Sequence, residues 1–387
     1  MIYDNPQYIY SEKALKFTKL SVFFSSIFVL GFLLFALSTK FFDFTVLVRG
    51  MQVFGILCLF FSLRIVNKNF FCLIVFFLLL VSFFLVNNAF YGQFTPVAMF
   101  PLLCFGVSIC ALYTVVCRVY FVVGFVNFIL FLFLVYCFYD ILFRLNHPNF
   151  VLVSSRNHIA IVAFSLWSLV YVLNDFCEKG MLFKVIFGMS SILSLVLLAV
   201  FTGRVGLFMA IVIFMLMYFK NGFRVNGFSG FFIKYLPLVV FSSLFFIYLI
   251  GQSEAFAKFE NRGLSDVRWD IVKWMILNSE AYNYFFGFEF GITQRVFGYT
   301  PHNSFLEAYI FYGFIGLSGL LLFFAVYIFR AFYISPRIFL LAITTLVSSF
   351  FDTGTFFGPF VGLVVFLIFF HSLMFKFNLR YLNWSFR

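Results

Sequence analysis

The sequence predicts an all-α, polytopic integral membrane protein, and three observations carry that prediction. Of the 387 residues, 64% are hydrophobic and only 10% are charged, against about 25% charged in a soluble domain. Apolar runs of roughly 18 to 25 residues, each long enough to cross a bilayer, recur along the whole length. The Lys and Arg residues gather in short connections on one side of these runs, as the positive-inside rule describes. The chain is read as a single membrane domain, 1–387, with no room for a large soluble domain.

Taken in order, spans are expected near 18–38, 44–63, 70–87, 94–117, 119–139, 158–174, 184–201, 205–219, 235–251, 303–329, 338–351 and 356–375. That is about twelve transmembrane helices. The run at 338–351 is short and the one at 205–219 is marginal, so the count ranges over roughly 11–13. The first run is too long for a signal-peptide core and is followed by many others, so it is read as an uncleaved helix. The 71 Phe residues are read as filling lipid-facing and helix-packing positions in place of Leu. Cys58, Cys72, Cys104, Cys110, Cys117, Cys137 and Cys177 all fall in or beside spans without a CxxC pair, so neither a disulfide nor a metal cluster is expected.

The net charge of +12 reports orientation rather than a nucleic-acid partner. With the N-terminus inside, the cytoplasmic connections collect Lys13, Lys16, Lys19, Arg64, Lys68, Arg330 and Arg337, and both termini are cytoplasmic. Two outer segments stand out. One, about 140–157, carries Arg144, His147, Pro148 and Arg156. The other, 252–302, is the only long polar stretch. Within it Val267, Ile271, Trp274 and Met275 recur at three- and four-residue spacing, which gives a helix one apolar face. With Trp favouring the membrane interface, this reads as an amphipathic helix lying on the outer surface.

Charged groups at the rim of spans are costly and mark candidate sites. The run Thr300-Pro301-His302-Asn303-Ser304-Phe305-Leu306-Glu307 sets a histidine at the mouth of the span at 303–329. Thr300 fits an N-cap and Pro301 the first helical position. His302 and Asn303 are then expected in the first turn, where free N–H groups and the helix dipole favour an anion and a neutral imidazole suits a general base. The competing reading is a histidine that merely ends a span among headgroups. Arg204, in Thr202-Gly203-Arg204-Val205-Gly206, is expected in a very short outer turn. Its fork fits a phosphate, or it snorkels. Arg268 and Arg262 lie in the long segment, either facing a ligand or bridging to Asp266 or Asp270. Arg156 opens one span and Arg49 lies about one and a half turns inside another. Glu307 is expected on the face of Asn303, orienting a neighbour or pairing with an Arg. Asp43 and Asp352 are acids at outer ends. Gly313, Gly316 and Gly319 are expected to let helices approach closely. No phosphate loop, HExxH or DxD pair is present, which argues against ATP hydrolysis, zinc chemistry and a metal-bound nucleotide sugar.

The run His302-Asn303, followed by Gly313 and Gly316, resembles the hallmark of the bacterial O-antigen polymerase and ligase superfamily. Thr202-Gly203-Arg204-Val205-Gly206 resembles its small-residue–Arg–x–Gly turn, and Arg268-Trp269 with Trp274 its Arg-before-Trp at a surface helix. Phe286-Gly287-Phe288-Glu289-Phe290-Gly291 resembles its Gly-x-Gly segment, with the second Gly displaced and Glu289 inserted. The likeness covers about 155–370. It implies a membrane-embedded glycosyltransferase at the periplasmic face of the inner membrane, using an undecaprenyl-diphosphate-linked oligosaccharide as donor, with no cofactor and no metal. His302, Arg204 and Arg268 would be catalytic. Asn303, Glu307, Arg156, Arg49 and Arg262 would bind substrate or support those that do. The preferred member is a repeat-unit polymerase, with membrane lipid and a chain-length regulator protein as conceivable partners. The alternatives are a ligase transferring the glycan to lipid A–core and, from another class, a transporter or flippase of lipid-linked glycan.

Overall fold

The computed structural model describes residues 12–39, 45–65, 75, 78–79, 82, 100–116, 121–143, 156–174, 181–201, 204–218, 267–289, 291–298, 303–351 and 359–376. These residues are almost entirely helical. In chain order the helices are α1 (Glu12–Ser38), α2 (Thr45–Ile65), α3 (Phe100–Val116), α4 (Phe121–Phe143), α5 (Arg156–Leu173), α6 (Met181–Val196), α7 (Arg204–Tyr218), α8 (Val267–Asn278), α9 (Ala281–Phe286), α10 (Ile292–Phe297), α11 (Ser304–Ile334), α12 (Pro336–Phe351) and α13 (Pro359–Lys376). A π-helical turn, Leu197–Phe201, closes α6. Among the described residues, four segments are long and apolar enough to cross a membrane: Leu20–Ser38, Phe121–Ile141, Met181–Ala199 and Phe305–Phe332. Shorter apolar helices occupy Val46–Ser62, Phe100–Val115, Ile159–Leu173, Val205–Met217 and Pro336–Val347. The expected spans at 70–87 and 235–251 lie essentially outside the described residues.

Side-chain pairs and short links set the directions of the long helices. Phe28 meets Phe61 and Phe35 stacks on Phe54, so α1 and α2 are antiparallel. Leu103 packs on Gly55, and the Cys110 thiol donates to the Cys58 carbonyl at 3.4 Å, so α2 and α3 run together. Cys104 packs on Gly362 and Ser108 Oγ donates to the Leu363 carbonyl at 3.1 Å, so α3 and α13 also run together. Tyr327 bonds Thr345 at 3.2 Å and Phe332 meets Phe339, making α11 and α12 an antiparallel hairpin. Short links turn α3 into α4, α5 into α6, and α6 into α7. Asn127 Nδ2 donates to the Phe183 carbonyl near the start of both α4 and α6, which sets those two parallel. As a result α2, α3, α5, α7, α11 and α13 all begin at one end of the bundle, and α1, α4, α6 and α12 begin at the other.

The core is aromatic as well as aliphatic. Trp167, Tyr327, Phe32, Phe105 and Phe164 are fully buried, while Phe23, Phe60, Phe121, Phe314 and Phe329 are exposed. Phe thus occupies both buried and exposed positions. A buried Phe removes enough apolar surface to contribute roughly 1.5–3 kcal/mol relative to exposure in water.

Candidate functional site

The site begins with how α11 starts. Asn303 is extended (φ −151°, ψ 114°) and is the N-cap, its side-chain oxygen accepting from the N–H groups of Phe305 at 2.9 Å and Leu306 at 3.0 Å. This corrects the expected boundary. Asn303 lies before the first turn, not in it, and the cap is Asn303 rather than Thr300. The physical reason is that one Asn carbonyl here satisfies two of the orphan donors at a helix start. Thr300, Pro301 and His302 lie outside the described residues. His302 therefore directly precedes the cap. Glu307 follows one turn in, its N–H donating to the Asn303 carbonyl at 2.9 Å, and its carboxylate is buried at the helix end where the dipole favours negative charge.

Further along, α11 is broken. Gly313 has φ 62° and ψ −165° and divides the helix at a kink. In an unbroken helix the Ile310 carbonyl would accept from the N–H of Phe314. Here it accepts from Phe288 N–H at 2.6 Å. Gly287, with φ 93°, brings that donor in. A Cβ on Gly313 would overlap the Phe285 carbonyl, and a Cβ on Gly287 would overlap the Ile310 carbonyl and sit 2.9 Å from Gly313 N. The expectation that Gly313 lets helices approach closely holds for α9, whose Phe285 carbonyl lies against it, and the kink adds a more demanding role. Broken helices persist in apolar surroundings only where other groups satisfy the freed backbone, and the α9–α10 connection does that. A sequence signal existed: both glycines sit between aromatics, as Phe286-Gly287-Phe288 and Tyr312-Gly313-Phe314.

Aromatic contacts carry this joint out to the surface helices. Trp274 on α8 meets Phe288 at 6.1 Å and Phe297 at 6.0 Å between ring centroids, and Phe288 meets Tyr309 on α11 at 6.3 Å. Trp274 is therefore a packing anchor. Ile271 and Met275 are buried on the same side, as the spacing predicted. The other side is not simply polar: Asp270 and Lys273 are exposed, but so are Ile276 at 61% and Leu277 at 82%. The Glu289 carboxylate, in the position where the sequence departs from the Gly-x-Gly pattern, pairs with Arg295.

Helix directions place the remaining candidates. Arg156 and Arg204 are the first residues of α5 and α7, and both helices begin at the end where α11 begins. Arg204, Val205 and Gly206 are helical rather than part of a turn, so the connection from the π turn is only residues 202–203. Arg268 is the second residue of α8, which the Trp274 contacts hold at that same end. Arg49 lies one turn into α2 at this end and is exposed. Arg262, Arg144, His147, Asp43 and Asp352 lie outside the described residues. One residue was missed: Asp140, buried at 2% near the C-terminal end of α4, which finishes at this end. An acid closing the apolar run Phe138-Tyr139-Asp140-Ile141 was the available signal. Among the described residues, no three His, Cys, Asp or Glu side chains come together as a metal would need.

No family model, no curated protein and no solved structure matches the chain.

Proposed function

We propose that the chain is an O-antigen repeat-unit polymerase. It would transfer a glycan from undecaprenyl diphosphate to a hydroxyl of another lipid-linked repeat unit at the periplasmic face of the bacterial inner membrane. The observation that carries this reading is the common end of α5, α7 and α11, which collects Arg156, Arg204 and the cap beside His302. Three helix starts turn the positive ends of their dipoles toward the same end of the bundle. That suits a lipid diphosphate leaving group.

In this mechanism Arg204 and Arg268 hold the diphosphate and stabilise the charge that builds as the sugar–phosphate bond breaks. His302 takes the proton of the acceptor hydroxyl as the oxygen attacks the anomeric carbon. Asn303 and Glu307 set the position of His302 by fixing where α11 starts. A transporter would spread its charged groups through the membrane depth and both leaflets. The buried acids among the described residues, Asp140 and Glu307, instead share the end that holds Arg156 and Arg204.

The deciding experiment is the glycan profile of a strain lacking the chain. Single repeats capped on lipid A–core are expected. Polymer accumulating on the carrier lipid, with a bare core, would identify a ligase instead, and an unchanged profile would remove both.

A further inference from the structure

The apolar stripe that the spacing gives α8 is turned to protein. Ile271 and Met275 are buried, and Trp274 packs on Phe288 and Phe297. By helical periodicity Ile276 and Leu277 fall on the opposite side, together with Asp270 and Lys273, and all four are exposed. The two charges lie toward the N-terminal half of that side, and the apolar pair lies at its C-terminal end. From there the apolar exposure runs on into α9 through Tyr284 and Phe285, the latter 54% exposed.

Two contacts set the depth of this edge. The Ser279 side chain hydrogen-bonds Tyr309, and the Phe285 main chain lies against Gly313. So α9 descends beside α11 from the level of Tyr309 to that of Gly313. Phe285 is then level with Phe314 and Ile315, which are exposed, as are Leu322 and Phe329 further along α11. That helix is long and apolar enough to cross a membrane. Between Gly313 and Arg330, near its other end, it rises about 26 Å, less than the roughly 30 Å hydrocarbon thickness of a bilayer. An Arg keeps its charge at the headgroups, so with Arg330 at one edge, Gly313 and Phe285 stand within the apolar layer. Glu280, the exposed N-cap of α9, lies near the Tyr309 level, about 6 Å closer to the headgroups.

The bend between α8 and α9 is closed as lipid surroundings require. The Trp274 carbonyl accepts from Asn278 Nδ2 at 2.8 Å, the Met275 carbonyl from Ser279 Oγ, and the Ile276 carbonyl from the Tyr284 hydroxyl at 3.2 Å. The Glu280 N–H donates to Asn283 Oδ1 at 3.1 Å, and Asn283 Nδ2 donates to the Gly287 carbonyl at 3.3 Å. In water such backbone groups can turn to solvent, whereas in hydrocarbon they need partners within the protein. We propose that the α8–α9 corner is inserted in the membrane, with Leu277 and Phe285 among the acyl chains of the leaflet at the end where α11 begins. Lipid is the occupant because this exposed edge continues the exposed apolar side of a membrane-crossing helix. The corner thus rides in the leaflet on the side of α8 opposite its apolar stripe, whatever reaction the site performs.

The photo-crosslinking residue p-benzoylphenylalanine, placed singly at Leu277 and at Phe285 of the full chain in phosphatidylcholine nanodiscs, tests this by mass spectrometry after illumination. Lipid adducts are expected at both positions, as frequent as at Phe329 and several-fold more frequent than at Asp270. Adducts no more frequent than at Asp270 overturn the proposal. Cross-linked dimers in place of lipid adducts also overturn it and assign the edge to a second copy of the chain. The unaltered protein gives a second reading. Hydroxyl radicals generated in bulk solvent should leave Phe285 unmodified in nanodiscs, although it is exposed on the protein. Extensive oxidation of Phe285 there means that water covers the edge, and it overturns the proposal even where a variant fails to insert.

Discussion

Gly287 and Gly313 meet main chain to main chain, and neither position has room for a Cβ. Each has a positive φ, and between them the Phe288 N–H reaches the Ile310 carbonyl at 2.6 Å. The contact joins the surface helices α8–α10 to the middle of the broken α11.

Gly313→Ala and Gly287→Ala are each expected to destabilise the protein by on the order of 2–3 kcal/mol, from strained backbone and overlap. Their effects should be strongly non-additive, since they damage one joint. Gly188→Ala and Gly124→Ala, where a Cβ meets nothing, should be neutral or gain up to about 1 kcal/mol. Thermal unfolding in detergent measures all four. Equal stability of the Gly313 and Gly188 variants would contradict the broken-helix joint.

Asn303→Ala should cost about 1 kcal/mol through the lost cap, and Asn303→Asp should keep that stability. If Asn303 acts only by starting α11, glycan transfer tracks stability across the two variants. A stable Asn303→Asp protein with little transfer would show that the side chain does more than cap.

His302→Ala should insert normally and lower glycan transfer by roughly 10²–10⁴, the range lost with a general base. Chains of normal length and amount on the cell surface would remove His302 from the mechanism.

Arg204→Lys keeps the charge and loses the fork. Transfer should fall roughly ten- to a hundredfold, the size of lost charge-assisted hydrogen bonds. Full activity would assign Arg204 to snorkelling at the helix end.

Cysteines introduced at Gly203 and Ser265 should react with an impermeant reagent from the periplasmic side. Reaction from the cytoplasm alone would invert the orientation and with it the proposed access of the lipid-linked donor.

The apolar runs were legible in the sequence because length and composition decide them. Helices stand at most of the expected spans where residues are described, with ends shifted by a few positions. The start of α11 was misjudged, because Thr-Pro is a good helix opening by propensity alone. Only the coordinates reveal that the Asn303 oxygen reaches two N–H groups. The close approach at Gly313 was legible but the kink was not, because a glycine in an apolar run looks the same whether the helix is whole or broken, and the partner that distinguishes them, Phe288, lies in a different segment. The shared end of Arg156, Arg204 and Arg268 was expected from loop charge; in the fold Arg156 and Arg204 are the first residues of their helices.

The joint at Gly313 also has a mechanical meaning. Below it α11 is clasped by α12 and α13 over most of its length. Above it, the segment from Ser304 to Tyr312 is fastened to α9 and the Phe288 loop. Any swing of the surface helices over the bundle end must therefore carry that upper segment, with Asn303 at its tip, as one lever. The fulcrum is Gly313, so a motion of the surface helices and the direction of the Asn303 cap are a single degree of freedom.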